Sequence, residues 1–387
     1  MARRSIKILY FNSNSVAGKI DTIRAQVDYY KPHIISITET KIDKDFDDNE
    51  LFGPNYIIYR KDRTKGGGGV LIAICNLNRA FNILGSDTGP GESVKVKLQM
   101  QSKSNFNLVT VYRPPNEHNL DNLDRLMSEN NNSLSPTIYI GDFNLPDIDW
   151  ARTPNHGQVK ANSNRKPLHE KALQIFRINN LTQIIHGATH RKGNTLDLVL
   201  VEKELLNEMN VQCEILPRLS DHHMVLVSLV TQQYTDKRAT GRPQHKLNLD
   251  NAKFSEINKL FESLHSEIQL PYQSIEHQWH KFTETIKTAT DQYIPTKLAR
   301  PGGKPWMTRE LVRLIRHRDR LFRRNKKYPT SVNLREEKEI NKSVAHEITK
   351  AKKHYLNEHV EKQLSNGNTK PLFSYIIFKN QKVKVTR

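Results

Sequence analysis

The stretch 137–144 limits what this chain can fold into more than any other, because an apolar strand runs directly into two polar side chains. Its sequence, Thr-Ile-Tyr-Ile-Gly-Asp-Phe-Asn, places Asp142 and Asn144 two residues apart. Successive strand side chains point to opposite faces, so both project on the same side. Gly141 lets the backbone bend or be approached closely. Such a pair can hold a metal ion, a water molecule or a phosphate oxygen, and the structural alternative is an Asx turn.

Several other apolar strands end or begin at polar residues in the same way. The residues at these strand ends and starts are Asn12, Glu39, Tyr112, Asp142, Asp197 and the pair Asp221-His222. Where the last strands of a sheet run antiparallel to their neighbours, strand starts and strand ends meet along one edge. Each of these residues alone is more often structural. Their recurrence at matching strand termini predicts one shared cleft.

The side chains of this cleft indicate a type of chemistry. Glu39, Asp142 and Asn144 supply the oxygen ligands that Mg²⁺ prefers. His222 titrates near neutrality beside Asp221, and Asp197 is placed to fix its tautomer. The sequence has no Cys or His cluster with zinc spacing and no Gly-x-Ser-x-Gly motif. This inventory fits metal-assisted hydrolysis of a phosphate ester.

Charge divides the chain into two parts. Residues 1–230 hold 28 Lys and Arg against 25 Asp and Glu, a net +3, whereas residues 231–387 hold 32 against 16, a net +16. The first part alternates strands and helices, and we take 1–230 as one domain. No apolar run is long enough to span a membrane, and no signal peptide follows the first residues. We therefore expect an intracellular protein without a membrane partner.

The second part has a different pattern. Residues 231–249 are polar and are predicted to be a linker, and 250–387 form a basic helical region. Helical spacing predicts helices at about 250–268, 274–294, 307–327 and 334–364. The third helix has an apolar stripe, and arginines and lysines, Arg318 among them, crowd the rest of it. A solvated face and a nucleic-acid contact both explain such charge, and the one-sided excess favours nucleic acid.

The strand-end motifs together resemble a known family. The series is Phe11-Asn12, Thr38-Glu39-Thr40, Val111-Tyr112-Arg113-Pro114-Pro115-Asn116, Gly141-Asp142-Phe143-Asn144, Thr189 with Leu196-Asp197, and Ser220-Asp221-His222. It resembles the endonuclease/exonuclease/phosphatase superfamily and, within it, the apurinic-endonuclease-like nucleases of non-LTR (LINE-type) retrotransposons. The match covers about residues 5–230. It implies a four-layered α/β sandwich of two mixed β-sheets flanked by helices, and the basic helical extension resembles the spacer before a reverse transcriptase.

The resemblance also implies roles for individual residues. Glu39 is the main metal ligand, with Asn12 and Asp221 beside it, and Mg²⁺ is the implied ion with Mn²⁺ as a substitute. Asp142 orients or deprotonates the attacking water, Asn144 and Tyr112 bond the scissile phosphate, and His222, held by Asp197, stabilises the developing charge. The implied nucleic-acid contacts are Asn14, Arg113, Thr189, Arg191, Lys192 and Ser220. Asn14 stands where repair enzymes of the superfamily carry aspartate, which argues against abasic-site repair.

The function that the resemblance implies is a DNA endonuclease that nicks one strand and leaves a 3′-hydroxyl for target-primed reverse transcription. DNA is the expected partner, with RNA on the basic helices, a downstream reverse transcriptase domain and a nuclear location as further expectations. The alternatives are a phosphatase or phosphodiesterase of the same superfamily and a catalytically silent nucleic-acid-binding relic. The basic tail disfavours the first, and the intact motifs count against the second.

Overall fold

The computed structural model describes residues 5–53, 55–63, 66–76, 81–100, 104–131, 133–150, 155–230, 245–247, 251–268, 274–298, 306–367 and 369. Within these ranges, no helix is both long enough and apolar enough to cross a membrane. Most of the predicted linker, residues 231–244 and 248–249, lies outside the described residues.

Two six-stranded mixed sheets form the larger part of the protein. In the first sheet the strand order is β13-β14-β1-β2-β4-β3, with β1 at Ser5–Asn12, β2 at Ile34–Thr38, β3 at Tyr56–Lys61, β4 at Val70–Cys75, β13 at Asn210–Arg218 and β14 at His223–Val230. In the second sheet the order is β11-β12-β8-β7-β6-β5, with β5 at Phe81–Gly89, β6 at Glu92–Met100, β7 at Asn105–Tyr112, β8 at Thr137–Asp142, β11 at Leu181–Gln183 and β12 at Asp197–Glu202. A short pair, β9 (Ile148–Asp149) and β10 (Gln158–Val159), lies outside these sheets.

Apolar side chains hold the two sheets face to face. The central core takes inward-facing residues from both sheets, such as Ile8 and Ile72 from the first and Val96 and Ile140 from the second. A second core lies on the outer face of the second sheet, under α3 (Asp121–Asn131) and α4 (Lys166–Ile178). A third lies under α1 (Ile20–Tyr30) on the outer face of the first sheet. The predicted four-layered α/β sandwich is therefore confirmed.

Strand direction brings the predicted polar residues to one edge of this sandwich. β1 and β2 run parallel, and β14 runs antiparallel to β1. In the other sheet β7 and β8 run parallel, and β12 runs antiparallel to β8. The ends of β1, β2, β7 and β8 and the starts of β12 and β14 consequently meet at the same edge, as their sequence pattern predicted.

The remaining helices of the sequence lie near the predicted positions. Two short helices, α2 (Asn49–Phe52) and α5 (Lys203–Glu208), belong to the sandwich. The later helices are α6 (Phe254–Ile268), α7 (Ile275–Tyr293), α8 (Arg309–Lys327), α9 (Ser331–Tyr355) and α10 (Lys362–Ser365). Thr308 and Thr330 begin α8 and α9, because each hydroxyl accepts a bond from the third amide of its helix.

The division of the chain differs from the predicted one. One compact unit comprises residues 1–237 together with 304–387, and the other comprises 238–303. The second unit contains α6 and α7 with a small sheet of β15 (His245–Leu247) and β16 (Thr296–Leu298). The basic region 250–387 is therefore not one body, because α8 and α9 belong to the same unit as the two large sheets.

Apolar and charged contacts attach α8 and α9 to the sandwich. Trp306, Leu311 and Ile315 form a buried cluster with Ala25 of α1 and with residues of α9, including Val344. Further along α8, the side chain of Phe322 enters the central core of the sandwich. The apolar stripe of α8 thus covers α1 and the central core of the sandwich, and the exposed residues of α8 are mostly basic.

A buried ion pair completes this contact. The Arg318 guanidinium lies 2.7 Å from Asp319 Oδ1 and also donates to Gln26 and Tyr30 of α1. The Tyr30 hydroxyl in turn donates to Asp319 Oδ2 at 3.0 Å. Both charged residues are almost fully buried. Arg318, which the sequence grouped with the solvent-facing arginines, instead fixes α8 on α1.

Candidate active site

Asp142 is the centre of the polar cluster at the sandwich edge. It ends β8 and lies directly opposite Tyr112 on β7 and Asp197 on β12. The Asn12 amide nitrogen donates to Asp142 Oδ2 and to Glu39 Oε1, both at 2.9 Å. One amide therefore holds a carboxylate from each sheet, and the two sheets are joined across the edge at this point.

A second line of contacts runs from Asp142 through His222 to Asp197. His222 Nε2 lies 3.9 Å from Asp142 Oδ2, and its Nδ1–H donates to Asp197 Oδ2 at 2.8 Å. The other oxygen of Asp197 accepts a bond of 2.6 Å from the Tyr10 hydroxyl. All four side chains are buried. The predicted pairing of Asp197 with His222 is present, and it leaves Nε2 facing the cleft.

These neighbours change the proton affinities of both groups. Burial acts to lower the pKa of His222, but the carboxylates of Asp197, Asp142 and Asp221 raise it to about 9. The imidazole is therefore charged at neutral pH. Burial, followed by the negative charge of Asp197, raises the pKa of Asp142 well above its usual range, while His222 and Asn12 act against this. A carboxylate with a raised pKa is a stronger base when ionised.

Glu39 and Asp221 lie in the more open part of the cleft. Glu39 Oε2 is 3.1 Å from the Lys41 ammonium, which also donates to Asn14 Oδ1 at 2.6 Å. The Asn14 amide nitrogen is 3.5 Å from Asp221 Oδ1. Glu39, Asn14 and Lys41 all have positive φ, so the chain turns sharply around this opening. Lys41 was missed by the sequence reasoning, although its position two residues after Glu39 was a signal for it.

The loop after β8 is tied to the loop after β7. Asn144 has a φ of 49° and donates from its side chain to the Arg113 carbonyl at 2.7 Å, and its amide donates to Asp142 Oδ1 at 3.1 Å. Arg113 is buried and donates to the carbonyls of Phe143 and Asn144. The predicted nucleic-acid contact of Arg113 is therefore replaced by a positioning role. Burial, with Glu39 and Asp142 nearby, raises the pKa of the Tyr112 phenol.

The turn at residues 189–195, which precedes β12, has a buried and an exposed part. Thr189 is fully buried, and its hydroxyl accepts bonds from the amides of Leu196 and Asp197, both at 3.0 Å. It positions Asp197 and has no surface for the DNA contact that the resemblance implied. Arg191 and Lys192 are exposed and face solvent, as a nucleic-acid contact requires.

Ser220 also has a positioning geometry. Its hydroxyl donates to the Asn12 carbonyl at 2.7 Å and accepts a bond from the His222 amide at 3.1 Å. Tyr10 was missed as a partner of Asp197, although it precedes Asn12 by two residues and so shares its face of β1. The cleft thus brings together Asn12, Asn14, Glu39, Tyr112, Asp142, Asn144, Asp197, Asp221 and His222.

The donor set fits a hard divalent ion. Glu39 and Asp221 are partly exposed carboxylates on either side of Asn14, and the Asn12 side chain contacts Glu39 directly. The Lys41 ammonium lies between the Glu39 and Asn14 oxygens, so these oxygens already contact a positive charge of the protein itself. Carboxylate and amide oxygens with room for several waters are what Mg²⁺ requires. Glu39 and Asp221 would hold such an ion, and Asn12 would join them only through Oδ1, because its Nδ2 donates to Glu39 and Asp142.

Comparison with known sequences gives a match within the sandwich. Residues 106–226, from β7 to β14, match the family model described as endonuclease-reverse transcriptase. The matched range includes Tyr112, Asp142, Asn144, Asp197 and His222. No curated protein matches the chain.

The solved structures to which this chain is similar include three that are described as an endonuclease or an exonuclease. The endonuclease domain of TRAS1, a telomere-specific non-LTR retrotransposon, is 14% identical, with a TM-score of 0.44, over 59% of this chain and 100% of its own. The 3′–5′ exonuclease NExo of Neisseria meningitidis is 17% identical, with a TM-score of 0.45, over 58% and 100%. The AP endonuclease LMAP of Leishmania major is 17% identical, with a TM-score of 0.47, over 59% and 88%.

Proposed function

We propose that residues 5–230 form an endonuclease/exonuclease/phosphatase domain of the endonuclease-reverse transcriptase type, whose family model matches residues 106–226, and that this domain is a Mg²⁺-dependent DNA endonuclease that nicks one strand. The nick leaves a 3′-hydroxyl that a reverse transcriptase extends in target-primed reverse transcription. Mn²⁺ substitutes for Mg²⁺ in this proposal, since both ions favour oxygen ligands.

The observation that carries the proposal is the surplus of carboxylate around Asp142. Asp142 and Asp197 are buried on either side of one imidazole, and Asn12 links Asp142 to Glu39. Buried carboxylates without matching cations are costly to a fold, so such clusters are concentrated at functional sites. The arrangement offers a base, a charged imidazole and a cation-attracting opening within one cleft.

The side chains can divide the steps of hydrolysis among them. Asp142, as the carboxylate, takes a proton from the attacking water, whose oxygen forms a bond to phosphorus. The bond from phosphorus to O3′ breaks, and O3′ takes a proton from solvent water to become the 3′-hydroxyl. The His222 imidazolium stabilises the negative charge that develops on the phosphoryl oxygens, and Asp197 keeps that ring charged and oriented. The phenol of Tyr112 and the amide of Asn144 lie at the ends of neighbouring strands and would bond the scissile phosphate. A bound divalent ion would supply Lewis-acid polarisation of the phosphate and neutralise the departing oxygen.

Supercoiled plasmid tests this activity directly. Purified protein with Mg²⁺ should convert supercoiled DNA to the open circle, and the nicked product should prime extension by a DNA polymerase without prior end repair. EDTA should abolish the conversion. An open circle that forms equally with EDTA, or an end that cannot be extended, would contradict the proposed reaction.

The basic face of α8 supports a second element of the proposal, a contact with nucleic-acid phosphates. Its exposed residues at three- and four-residue spacing form one row, consisting of Arg309, Arg313, Arg316, Arg320, Arg324 and Lys327. Such a row follows one side of a helix and presents repeated cations to a phosphate backbone. RNA and DNA both have such a backbone. The exposed Arg191 and Lys192 lie in the same compact unit as α8.

Salt dependence distinguishes this contact from a solvated helix face. Replacing Arg313 and Arg316 with Gln should lower the slope of log affinity against log salt by about 1.8 on duplex DNA, because each phosphate that an arginine neutralises adds about 0.9 to the slope. Lys342→Gln with Lys350→Gln on α9 is the matched control, because each of these lysines lies beside a glutamate of its own helix. Equal slopes for wild type and the Arg313/Arg316 variant would mean that α8 faces another partner, such as a reverse transcriptase domain.

A nuclear location belongs to the same proposal and can be checked by microscopy of the tagged chain.

A further inference from the structure

A second cluster of potential metal ligands lies where the turn at residues 189–195 meets the cleft. His190, Asp221 and His222 each offer one ligand atom, and these three atoms lie within 4.8 Å of one another. The two imidazole rings stand edge to face with centroids 4.8 Å apart, and a β-bridge pairs their backbones. The proposed hydrolysis assigns no role to His190.

We propose that this cluster binds a transition-metal ion of the zinc type and that the bound ion switches off the nuclease by occupying His222. Two imidazoles and a carboxylate form a ligand set that suits Zn²⁺, whereas Mg²⁺ favours oxygen ligands alone. His190 Nε2 is 3.6 Å from Asp221 Oδ2. Zinc bonds of about 2.0–2.2 Å place the ligand atoms of a tetrahedral site about 3.4 Å apart, so the His190–Asp221 pair nearly has this spacing, and side-chain rotations must bring the other ligand atoms, which lie within 4.8 Å, closer.

The two oxygens of Asp221 face different sides of the cleft. Oδ1 is 3.5 Å from the Asn14 amide, on the side of Glu39, and Oδ2 is directed at His190. The cluster with His190 is therefore adjacent to the proposed Mg²⁺ position. The two sites share Asp221, but each uses a different oxygen of its carboxylate. The Asp221 side chain is 28% exposed, so an ion reaches the cluster from solvent and can keep a water molecule as its fourth ligand.

Contacts behind the cluster fix the ligating atom of His222. Its Nδ1–H donates to Asp197, so Nε2 is the nitrogen that is available to a metal. A histidine that donates its other N–H to a carboxylate is the usual support of a metal-bound imidazole. His190 Nδ1 accepts a bond of 3.4 Å from the Lys192 amide. Ligation through His190 Nε2 moves the ring proton to Nδ1, gives up this long, weak bond and replaces the direct contact of Nε2 with Asp221.

Occupation of the cluster has a consequence for hydrolysis. His222 Nε2 is the nitrogen that lies 3.9 Å from Asp142 and faces the proposed phosphate position. A metal ion on that nitrogen removes its proton and prevents it from stabilising the developing negative charge. This consequence rests on the proposed nuclease function, whereas metal binding by His190, Asp221 and His222 does not.

Direct binding to the full chain tests the site without reference to activity. Co²⁺, which replaces Zn²⁺ and absorbs visible light when bound by imidazole, is titrated into wild type, His190→Asn and His186→Asn. His186 is an exposed histidine on the same loop and serves as the matched control. We expect one ion per wild-type chain, unchanged binding by the His186 variant and at least about tenfold weaker binding by His190→Asn. His190→Ala is the second variant if the first does not fold.

Inhibition of plasmid nicking gives the second readout. At fixed Mg²⁺, the Zn²⁺ concentration that halves the nicking rate should rise at least about tenfold in His190→Asn, with each variant normalised to its own rate without Zn²⁺. Equal Co²⁺ affinity in wild type and both His190 variants, or no Co²⁺ binding by wild type, overturns the site. Binding that depends on His190 in a protein that does not nick DNA upholds the site and refutes the nuclease function instead.

Discussion

Two groups of buried charged residues lie in the same compact unit, and their surroundings differ. Arg318 and Asp319 form an ion pair between α8 and α1, where Gln26 and Tyr30 complete their hydrogen bonds. Asp142, Asp197 and His222 instead line a cleft, with two carboxylates for one imidazole. The first group balances its charges within a closed contact, and the second leaves an excess of negative charge facing an opening.

This difference indicates what each group of charged residues contributes to the protein. A balanced and hydrogen-bonded pair costs little once formed, and it fixes where one helix lies on another. Two carboxylates crowded around one imidazole are costly to the fold: burial and then the charge of Asp197 raise the pKa of Asp142, and the carboxylates of Asp197, Asp142 and Asp221 raise the pKa of His222. We therefore assign the group at α8 to stability and the group at the cleft to chemistry, and the following experiments test this assignment.

Removal of α8 and α9 should have the largest effect on folding. Truncation after Lys237 removes the burial of Leu311, Ile315 and Phe322 among others. At about 1.5–3 kcal/mol for each buried side chain, these three alone are comparable with the whole stability of an ordinary domain, about 5–15 kcal/mol. We expect an insoluble or much less stable protein, measured by thermal unfolding. A truncated chain that unfolds at the wild-type temperature would show that α8 and α9 are only attached to the sandwich.

Charge patterning alone leads to the opposite expectation, namely that residues 1–230 fold by themselves. The sequence shows the apolar stripe of α8 but not the surface that it covers, because that surface is assembled from α1 and β13, which are distant in sequence. The polar strand ends were predictable, since the alternation of side chains along a strand fixes their direction. The burial of Arg113, Thr189 and Arg318 was not, because a polar residue type does not reveal whether its partners lie in the fold or in the ligand.

Loss of a cleft carboxylate should abolish activity and leave folding intact. Glu39→Ala removes the carboxylate that we propose as the main metal ligand, and we expect nicking of supercoiled plasmid to fall by about a thousandfold or more at saturating Mg²⁺. The unfolding temperature should stay within a few degrees of wild type, because Glu39 is partly exposed. Lys44→Ala, in the exposed segment that follows, is the control. Full nicking by Glu39→Ala would remove Glu39 from the site.

Substitution of His222 should lower activity, whereas substitution of its neighbour His223 should lower stability. His222→Ala should slow nicking about a hundredfold with DNA affinity unchanged, as is typical when one electrostatic group is removed. His223 packs against Phe322 of α8, and its Nδ1–H donates to the Leu216 carbonyl, so His223→Ala should lower stability instead. Rates and unfolding temperatures of both variants are measured together. Similar rate losses in the two variants would mean that both rings face the substrate.

The smallest expected effect is a dependence of stability on pH. The folded protein raises the pKa of His222 from 6.5 to about 9. The stability that the charged His222 contributes to the fold is therefore complete below about pH 6.5 and is lost as the pH rises through about 9. Wild type should lose about 1–3 kcal/mol of unfolding free energy over that interval, measured by denaturant titration without added metal. The loss should be absent in His222→Gln. An identical loss in that variant would assign the pH dependence to other groups.

The most direct measurement compares one variant from each buried group on the same preparations. Asp142→Asn replaces a charge of the cleft, and Arg318→Ala leaves Asp319 buried without its partner, a change that typically costs about 3–5 kcal/mol. Nicking rate per folded molecule and unfolding free energy are determined for both variants and for wild type. We predict that Asp142→Asn loses nearly all activity and keeps or gains stability, whereas Arg318→Ala loses stability and keeps its activity. Parallel losses of both properties in both variants would contradict the separation of a catalytic group from a structural one.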